Sequence, residues 1–60
     1  PTYHLLEESG PSHARRFRVE LRLGDRVLAQ GEGSSKKKAE QLAAARALAR
    51  LRDKEGGGAG

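Results

Sequence analysis

The stretch RFRVELRL, residues 16–23, decides the fold, because apolar and charged side chains alternate along its whole length. Phe17, Val19, Leu21 and Leu23 are separated by arginines and one glutamate. A period of two places successive side chains on opposite faces of a β-strand. The pattern therefore predicts an antiparallel strand with one face on a core and the other in water.

A second strand is predicted before this one. Residues 3–8 contain a tyrosine and two leucines without a helix or strand breaker, and Pro1 stands where a strand can begin. Residues 9–12, Ser-Gly-Pro-Ser, form a dense turn signal, and the loop is expected to run to Ala14. The two strands are therefore expected to be joined by a loop with its own turn.

A third strand is predicted after the alternating one. Gly24 and Asp25 can close a tight hairpin, after which residues 26–30 return with Val27 or Leu28 pointing inward. The segment 31–35 is expected to end this strand, since two glycines so close together allow a bend that larger residues resist.

A helix is predicted from Lys36 to about Arg52, because every residue in this interval is a good or tolerable helix former. Ser35 is the preferred N-cap and Ser34 the next, since a hydroxyl accepts a hydrogen bond from an unpaired backbone N–H. Leu42 is expected to be partly exposed. The apolar face expected to lie very close to the sheet consists of Ala39, Ala43, Ala44, Ala47, Leu48 and Leu51.

The predicted fold class is α+β, with a three-stranded antiparallel sheet and a C-terminal helix packed on one face (β-β-β-α). Residues 1–52 are predicted to form the domain and residues 53–60, rich in glycine, a disordered tail. A chain of 60 residues makes at most one domain. It has no cysteine and only two aromatic residues, which excludes a disulfide scaffold and argues against a large ligand cavity. No apolar run approaches the roughly 20 residues of a membrane span, so a soluble intracellular protein is expected.

The positive charge is concentrated near the start of the helix. Residues 1–35 carry five arginines and five acidic residues, whereas residues 36–60 carry seven basic residues and three acidic ones. The sharpest cluster is Lys36, Lys37 and Lys38. Cations at a helix N-terminus oppose the helix dipole, by about 0.3–1 kcal/mol per exposed charge. Three lysines there favour a bound phosphate, and the alternative is a solvated charge run that serves solubility.

The loop at residues 10–13 is a second candidate site, because the exposed ring of His13 can offer a hydrogen-bonding group. His4 is expected on the solvent face of the first strand. Catalysis has little support, since two histidines without companions do not make a metal site. The adjacent Glu7 and Glu8 would point to opposite faces of a strand and could not act as a pair.

The order of these motifs resembles the double-stranded-RNA-binding domain. The loop motif is Gly10-Pro11-x-His13, followed by Phe17-x-Val19, and the helix motif is Gly31-x-Gly33-x-Ser35-Lys36-Lys37-x-Ala39-Glu40. The residues of both motifs are most similar to those of the carboxy-terminal domain of bacterial ribonuclease III. The resemblance runs from Pro1 to about Leu51, and the order and spacing of the motifs make it specific.

The resemblance implies an α-β-β-β-α fold whose first helix precedes Pro1, and a surface that fits about 16 base pairs of an A-form duplex. The loop would enter a minor groove and meet 2′-hydroxyl groups, and the helix start would contact phosphates across the neighbouring major groove. Lys38 would partly substitute for the lysine that many members have at Glu40. The predicted RNA-binding residues are Gly10, Pro11, His13, Ser35, Lys36, Lys37 and Lys38.

The implied function is binding of double-stranded RNA, as the substrate-binding domain of a ribonuclease III-like endoribonuclease. The chain itself would have no catalytic residues and no cofactor, and the parent's nuclease domain would use Mg. The parent would be homodimeric and cytoplasmic. The alternative is a protein-interaction or dimerisation module of the same fold, which pairs or swaps through the sheet face that the missing first helix leaves uncovered.

Overall fold

The computed structural model describes residues 1–56, and their side chains as far as Asp53. Three antiparallel strands in the order β1-β2-β3 precede one helix, which confirms the predicted α+β arrangement. The loop between β1 and β2 contains one 3₁₀ turn. The elements are β1 (Thr2–Ser9), the 3₁₀ turn (Ser12–Ala14), β2 (Arg16–Leu23), β3 (Arg26–Gly33) and α1 (Lys36–Gly56).

The helix ends at Gly56 instead of near Arg52. The lysine and glutamate of the intervening segment are good helix formers, so the helix continues through them. The remainder of the predicted disordered tail, residues 57–60, lies outside the described residues. The boundary between a domain at 1–52 and a tail at 53–60 therefore stays a prediction.

The core is small and consists of side chains from the sheet and the first half of α1. Val19, Leu21 and Ala29 of the sheet are buried against Ala39 and Ala43 of the helix. The small alanine side chains allow the helix backbone to lie very close to the strands, as the sequence predicted. The alternating pattern of β2 thus places its apolar face on the helix.

The two glycines of β3 do not bend the chain, contrary to the prediction. Gly31 and Gly33 lie within the strand, which runs to Gly33 instead of ending near Gln30. A Cβ atom on Gly31 would overlap the backbone of α1, and one on Gly33 would lie 2.9 Å from the Cβ atom of Lys38. The glycines are therefore needed because the helix crosses β3 at backbone contact distance.

Neither residue that was predicted to point inward in β3 is buried in the core. The buried residue is Ala29, which pairs with Leu21, whereas Val27 is 46% exposed and Leu28 half-buried, and both line the apolar groove beside α1. The register shifts near Leu28, because Arg22 pairs with Val27 directly after the Leu21–Ala29 pair. An extra residue in one strand of a pair changes the face on which later side chains lie.

The predicted apolar face of α1 is longer than the buried core. Leu48 and Leu51 are 51% and 53% exposed, although Ala44 and Ala47 before them are half-buried. Leu42, outside this face, is half-buried, as predicted. The second half of α1 and the far end of the sheet thus leave an apolar groove of about 630 Å³. Its apolar lining includes Tyr3, Leu23, Val27, Leu28, Leu48 and Leu51.

Glu20 is buried on the outer face of the sheet, where the alternation predicted a solvent-exposed side chain. It is 5% exposed and accepts hydrogen bonds from Arg22 Nε and, at 3.2 Å, from Gln30 Nε2. These long side chains cover it, although α1 lies on the opposite face of the sheet. The hydrogen bond from Arg22 is the main reason that the pKa of Glu20 lies below its ordinary value of 4.5, and it outweighs the opposing effect of burial.

The stability of the fold should depend on pH through this carboxylate. Because the folded-state pKa is lowered, the ionised Glu20 stabilises the fold above about pH 4.5, and this contribution is lost as the pH falls through the folded-state pKa. Glu20→Gln should therefore lower the melting temperature at neutral pH and make the decline below pH 4.5 smaller. Thermal unfolding followed by circular dichroism across this range tests the prediction.

Glu7→Gln is the matched control, since Glu7 lies on the same sheet face but forms only an exposed ion pair with Arg18 at 3.8 Å. It should follow the wild-type acid decline. An acid decline in Glu20→Gln as steep as in the wild type would contradict the role given to Glu20.

Candidate nucleic-acid interface

The strand register brings the two predicted binding segments to the same end of the sheet. Ser9 pairs with Arg16, and Phe17 pairs with Gly33, so the β1–β2 loop and the start of α1 both follow from that end. β1 and β3 flank β2, and strands in a sheet lie about 4.8 Å apart. At this end of the sheet, the strands that lead into the loop and into the helix are therefore one to two strand spacings apart, about 5–10 Å.

The β1–β2 loop is compact and presents His13. Gly10 has a φ of 90°, a left-handed conformation that other residues rarely adopt, and a Cβ atom there would lie 2.7 Å from the Ala14 carbonyl oxygen. Pro11 precedes the 3₁₀ turn, which is closed by a hydrogen bond of 2.9 Å from Ala14 N–H to the Pro11 carbonyl oxygen. His13 lies exposed on this turn, and His4 is also exposed but lies on the outer face of β1.

Ser35 is the N-cap of α1, as predicted. Its Oγ accepts a hydrogen bond from Lys38 N–H at 3.1 Å, and its carbonyl oxygen accepts one from Ala39 N–H at 3.0 Å. The first turn of α1, which lies wholly within the described residues, contains no acidic residue. Lys36 and Lys37 are exposed there, so positive charge adds to the partial positive charge of the helix N-terminus.

Lys38 differs from the two lysines before it. Its Nζ lies 3.2 Å from Ser34 Oγ, so its side chain folds back on the segment before the helix. Glu40, two residues further along α1, is half-buried. Among the three lysines, Lys36 and Lys37 are thus the freer to meet an external anion, and Lys38 would have to exchange its serine partner for a phosphate.

Two later arginines of α1, Arg46 and Arg50, are engaged within the protein. Arg46 donates to the Gln30 carbonyl oxygen at 3.0 Å and pairs with Glu32 at 3.3 Å, and Arg50 donates to the Leu28 carbonyl oxygen at 2.7 Å. These acceptors lie along β3, an edge strand of the described sheet, where backbone groups that face away from β2 have no strand partner. The excess of positive charge in residues 36–60 is therefore available to a polyanion mainly at the start of α1, where Lys36 and Lys37 are exposed.

A residue that sequence reasoning missed lies at the end of the loop. The Arg15 guanidinium donates from Nε to Glu8 Oε2 at 2.7 Å and from Nη1 to the Gly10 carbonyl oxygen at 2.8 Å. In the sequence Arg15 is one of several arginines, and only its position directly after the Gly-Pro-x-His turn distinguishes it. The other signal in the sequence was Glu8, an acidic residue near the end of β1 that could pair with this arginine across the loop.

The arrangement suits contact with an extended anion at two points. One point offers ammonium groups and backbone N–H donors, and the other offers an imidazole ring on a rigid turn. Within the described residues, no group of three His, Cys, Asp or Glu residues could hold a metal ion. In the same part of the chain, no helix is long and apolar enough to cross a membrane.

Comparisons with known proteins agree with this geometry. A family model described as "Double-stranded RNA binding motif" matches residues 1–51. The chain is 56% identical over 50 residues to Ribonuclease 3 of Latilactobacillus sakei, covering 83% of the chain and 22% of that protein. It is 52% identical over 52 residues to Ribonuclease 3 of Pseudothermotoga lettingae, covering 87% and 22%. Identity to Ribonuclease 3 of Helicobacter pylori (strain Shi470) is 45% over 53 residues, covering 88% and 22%. The chain thus spans about a fifth of the length of these relatives.

Proposed function

The chain belongs to the double-stranded RNA binding motif family, and from this membership we propose that its β1–β2 loop and the start of α1 bind an RNA duplex together. A-form RNA has a wide, shallow minor groove that displays 2′-hydroxyl groups and a narrow major groove bordered by phosphates. The observation that carries the proposal is the position of the loop and the lysine cluster at one end of the sheet. That spacing lets one rigid unit contact two neighbouring grooves.

The two segments have different roles in this proposal. The loop residues Gly10, Pro11 and His13 enter a minor groove, where the imidazole ring and loop backbone hydrogen-bond to 2′-hydroxyl groups. The start of α1 contacts phosphates with its lysine ammonium groups and its backbone N–H donors. The N-cap hydrogen bond to Ser35 holds the first turn, and with it these donors, in place. The phosphate-binding residues are Lys36, Lys37 and Lys38. Recognition depends on duplex shape more than on base sequence.

We infer further that the chain is the substrate-binding domain of a longer, ribonuclease III-like endoribonuclease. The support is its identity to proteins named Ribonuclease 3, of which it covers 22% in those of Latilactobacillus sakei and Pseudothermotoga lettingae. RNA cleavage, the Mg that supports it and homodimerisation would then belong to other parts of the parent, in the cytoplasm. The residues described here offer no three-residue metal-ligand set, so no catalytic step is assigned to them.

The apolar groove at the far end of the sheet is best explained as the seat of the family's first helix. Leu23, Val27, Leu48 and Leu51 are each about half exposed there, more than a single well-packed unit normally leaves in one patch. An amphipathic helix from the segment before Pro1 would bury them.

The alternative is that a second copy covers the groove by pairing or swapping, which would favour a protein-interaction module. The loop histidine and the free lysines argue against that reading, because a dimerisation module has no use for them. Sedimentation of the chain with and without an N-terminal extension tests the choice. A mass that rises with concentration only in the absence of the extension supports the helix, and a dimer in both cases supports the second copy.

A side-by-side titration tests RNA binding itself. The chain is titrated with a duplex RNA of about 20 base pairs and with the same sequence as DNA, at two salt concentrations. We expect preference for RNA and an affinity that falls steeply with salt. Equal affinity for both duplexes would contradict recognition of the A-form and would indicate a general polyanion-binding surface.

His13→Ala should reduce the preference for RNA over DNA, since only RNA carries the 2′-hydroxyl group that the ring is proposed to meet. The loss of one hydrogen bond predicts a roughly twofold to tenfold smaller ratio of the two affinities. His4→Ala is the control, because His4 is also exposed but lies on the outer sheet face, 3.0 Å from Thr2 Oγ1. If His13→Ala and His4→Ala have the same ratio of RNA affinity to DNA affinity, His13 does not contact the RNA.

A further inference from the structure

The guanidinium of Arg15 closes the β1–β2 loop on itself. Arg15 stands directly before β2, yet its side chain reaches back across the loop to the end of β1. It donates to Glu8 Oε2 at 2.7 Å and to the Gly10 carbonyl oxygen at 2.8 Å. Arg15, the last residue of the loop, is therefore hydrogen-bonded to Glu8 near the end of β1 and to Gly10, the first residue of the loop.

A bulge in β1 is what makes Glu8 available to Arg15. The register shifts between Leu5 and Glu7, so that Glu7 pairs with Arg18 and Glu8 with Phe17. In a strand without this shift, strict alternation from Leu5 would put Glu7, and not Glu8, on the face that carries α1. The bulge thus places one carboxylate beside the loop and its neighbour on the opposite face.

The loop has a clear need for such a closure. Gly10 adopts a left-handed conformation, and glycine has more conformational freedom to lose than any other residue. The loop's own backbone contributes the bond from Ala14 N–H to the Pro11 carbonyl oxygen, which fixes the turn, and the Ser9–Arg16 pair joins the two strands at the base of the loop. The Arg15 contacts add a side-chain link between Glu8 of β1 and the Gly10 carbonyl oxygen.

We propose that Arg15 and Glu8 are positioning residues, which hold the loop in the shape that presents His13 to the minor groove. This inference rests on the proposed function of the loop. Arg15 is not itself a phosphate ligand in this proposal, because its charge is already paired with the Glu8 carboxylate. Binding to a phosphate would require that pair to break.

The two possible roles of Arg15 give opposite predictions for Glu8→Gln. If Arg15 positions the loop, loss of the carboxylate loosens the loop and weakens RNA binding. If Arg15 binds phosphate, loss of the carboxylate frees the guanidinium and leaves RNA binding equal or stronger. Glu7→Gln is the matched control, because it removes the same charge one residue away, from the face opposite to Glu8.

Binding measurements on Glu8→Gln, Arg15→Lys and Glu7→Gln separate these roles. Lysine keeps the charge of Arg15 but lacks the planar fork that reaches two acceptors. We expect Glu8→Gln and Arg15→Lys to bind duplex RNA roughly twofold to fivefold more weakly, the range that an exposed ion pair supports. Their RNA-over-DNA ratio should fall and their salt dependence should stay as in the wild type. Glu8→Gln binding as tightly as Glu7→Gln would overturn the proposal.

Backbone ¹⁵N relaxation of the free chain gives a readout that does not depend on RNA. Order parameters for residue 10 and residues 12–14 should fall from about 0.85 toward 0.6 in Glu8→Gln and Arg15→Lys, and stay high in Glu7→Gln. A loop that stays rigid in the first two variants would overturn the positioning role, whatever the RNA titrations give. Loosening of the loop in a chain that does not prefer RNA would support the positioning role and overturn the proposed function instead.

Discussion

Gly31→Ala is expected to unfold most of the protein at room temperature. The added Cβ atom would overlap the Ala39 carbonyl oxygen and the Ala43 backbone nitrogen, and would lie 3.0 Å from the Ala43 Cα atom. All three are helix backbone atoms, which cannot swing aside as the end of a long side chain can. The whole helix would have to move away from β3, and overpacking of this kind costs about 1–3 kcal/mol or more.

The effect is large because the core is small. The fully buried side chains of the described core are valine and alanines, and a chain of 60 residues has little stability in reserve. Circular dichroism during thermal and urea unfolding measures the change. A melting temperature within a few degrees of the wild type would contradict the close approach of α1 and β3.

Gly24→Asn is the control for the Gly31 substitution. Gly24 has a φ of 60° in the β2–β3 hairpin, and no atom lies within 4 Å of the position of an added Cβ. Asparagine tolerates this left-handed conformation better than most residues. The variant should keep nearly all of the wild-type stability, which would separate a need for space from a general intolerance of side chains at glycine positions.

Combined replacement of Lys36 and Lys37 with alanine is expected to have the largest effect on RNA affinity. Each lysine is proposed to neutralise one phosphate, and each such contact contributes close to one unit to the slope of log affinity against log salt. The double variant should therefore lose about two units of slope, and each single variant about one. Weaker binding with an unchanged slope would remove these lysines from the phosphate contacts.

The same substitutions should not weaken the fold. Lysines at the start of α1 oppose the helix dipole, so their removal should raise stability slightly, by about 0.3–1 kcal/mol per charge at most. Arg52→Ala is the control for charge, because Arg52 is exposed near the other end of α1, roughly 24 Å away at 1.5 Å per residue. It should leave the salt slope nearly unchanged. If the alanine variants of Lys36 and Lys37 bind RNA more weakly but unfold at a higher temperature, the two lysines serve RNA binding at the expense of stability.

Local sequence patterns were sufficient to predict the order of elements. The alternation in residues 16–23 gives the strand only one apolar face, and residues 36–52 contain no residue that breaks a helix. The N-cap at Ser35 was predictable for the same reason, since a cap depends on residues within one turn of it. The candidate RNA-binding residues came from motif order, and their contacts with RNA remain to be measured.

Features that depend on two or more elements were not predictable from these patterns. The burial of Glu20 requires Arg22 and Gln30 to cover it from neighbouring positions in the sheet. The alternation marked Glu20 as exposed, because it considers only one strand at a time. A glycine at position 31 likewise predicts a bend when only its neighbours in the chain are considered, although it is required by a helix that follows it in the chain and crosses over it.

The sequence by itself determined the β-β-β-α order, the helix cap and the segments that carry positive charge, because each depends on side chains close together in the chain. Only the tertiary structure decided which charges remain free for a ligand. Arg46 and Arg50 are bound to the edge of β3, and Arg15 closes the loop, whereas Lys36 and Lys37 stay exposed. The physical reason is that a cation's availability depends on the acceptors that the fold brings to it, and these come from residues up to 22 positions away in the chain.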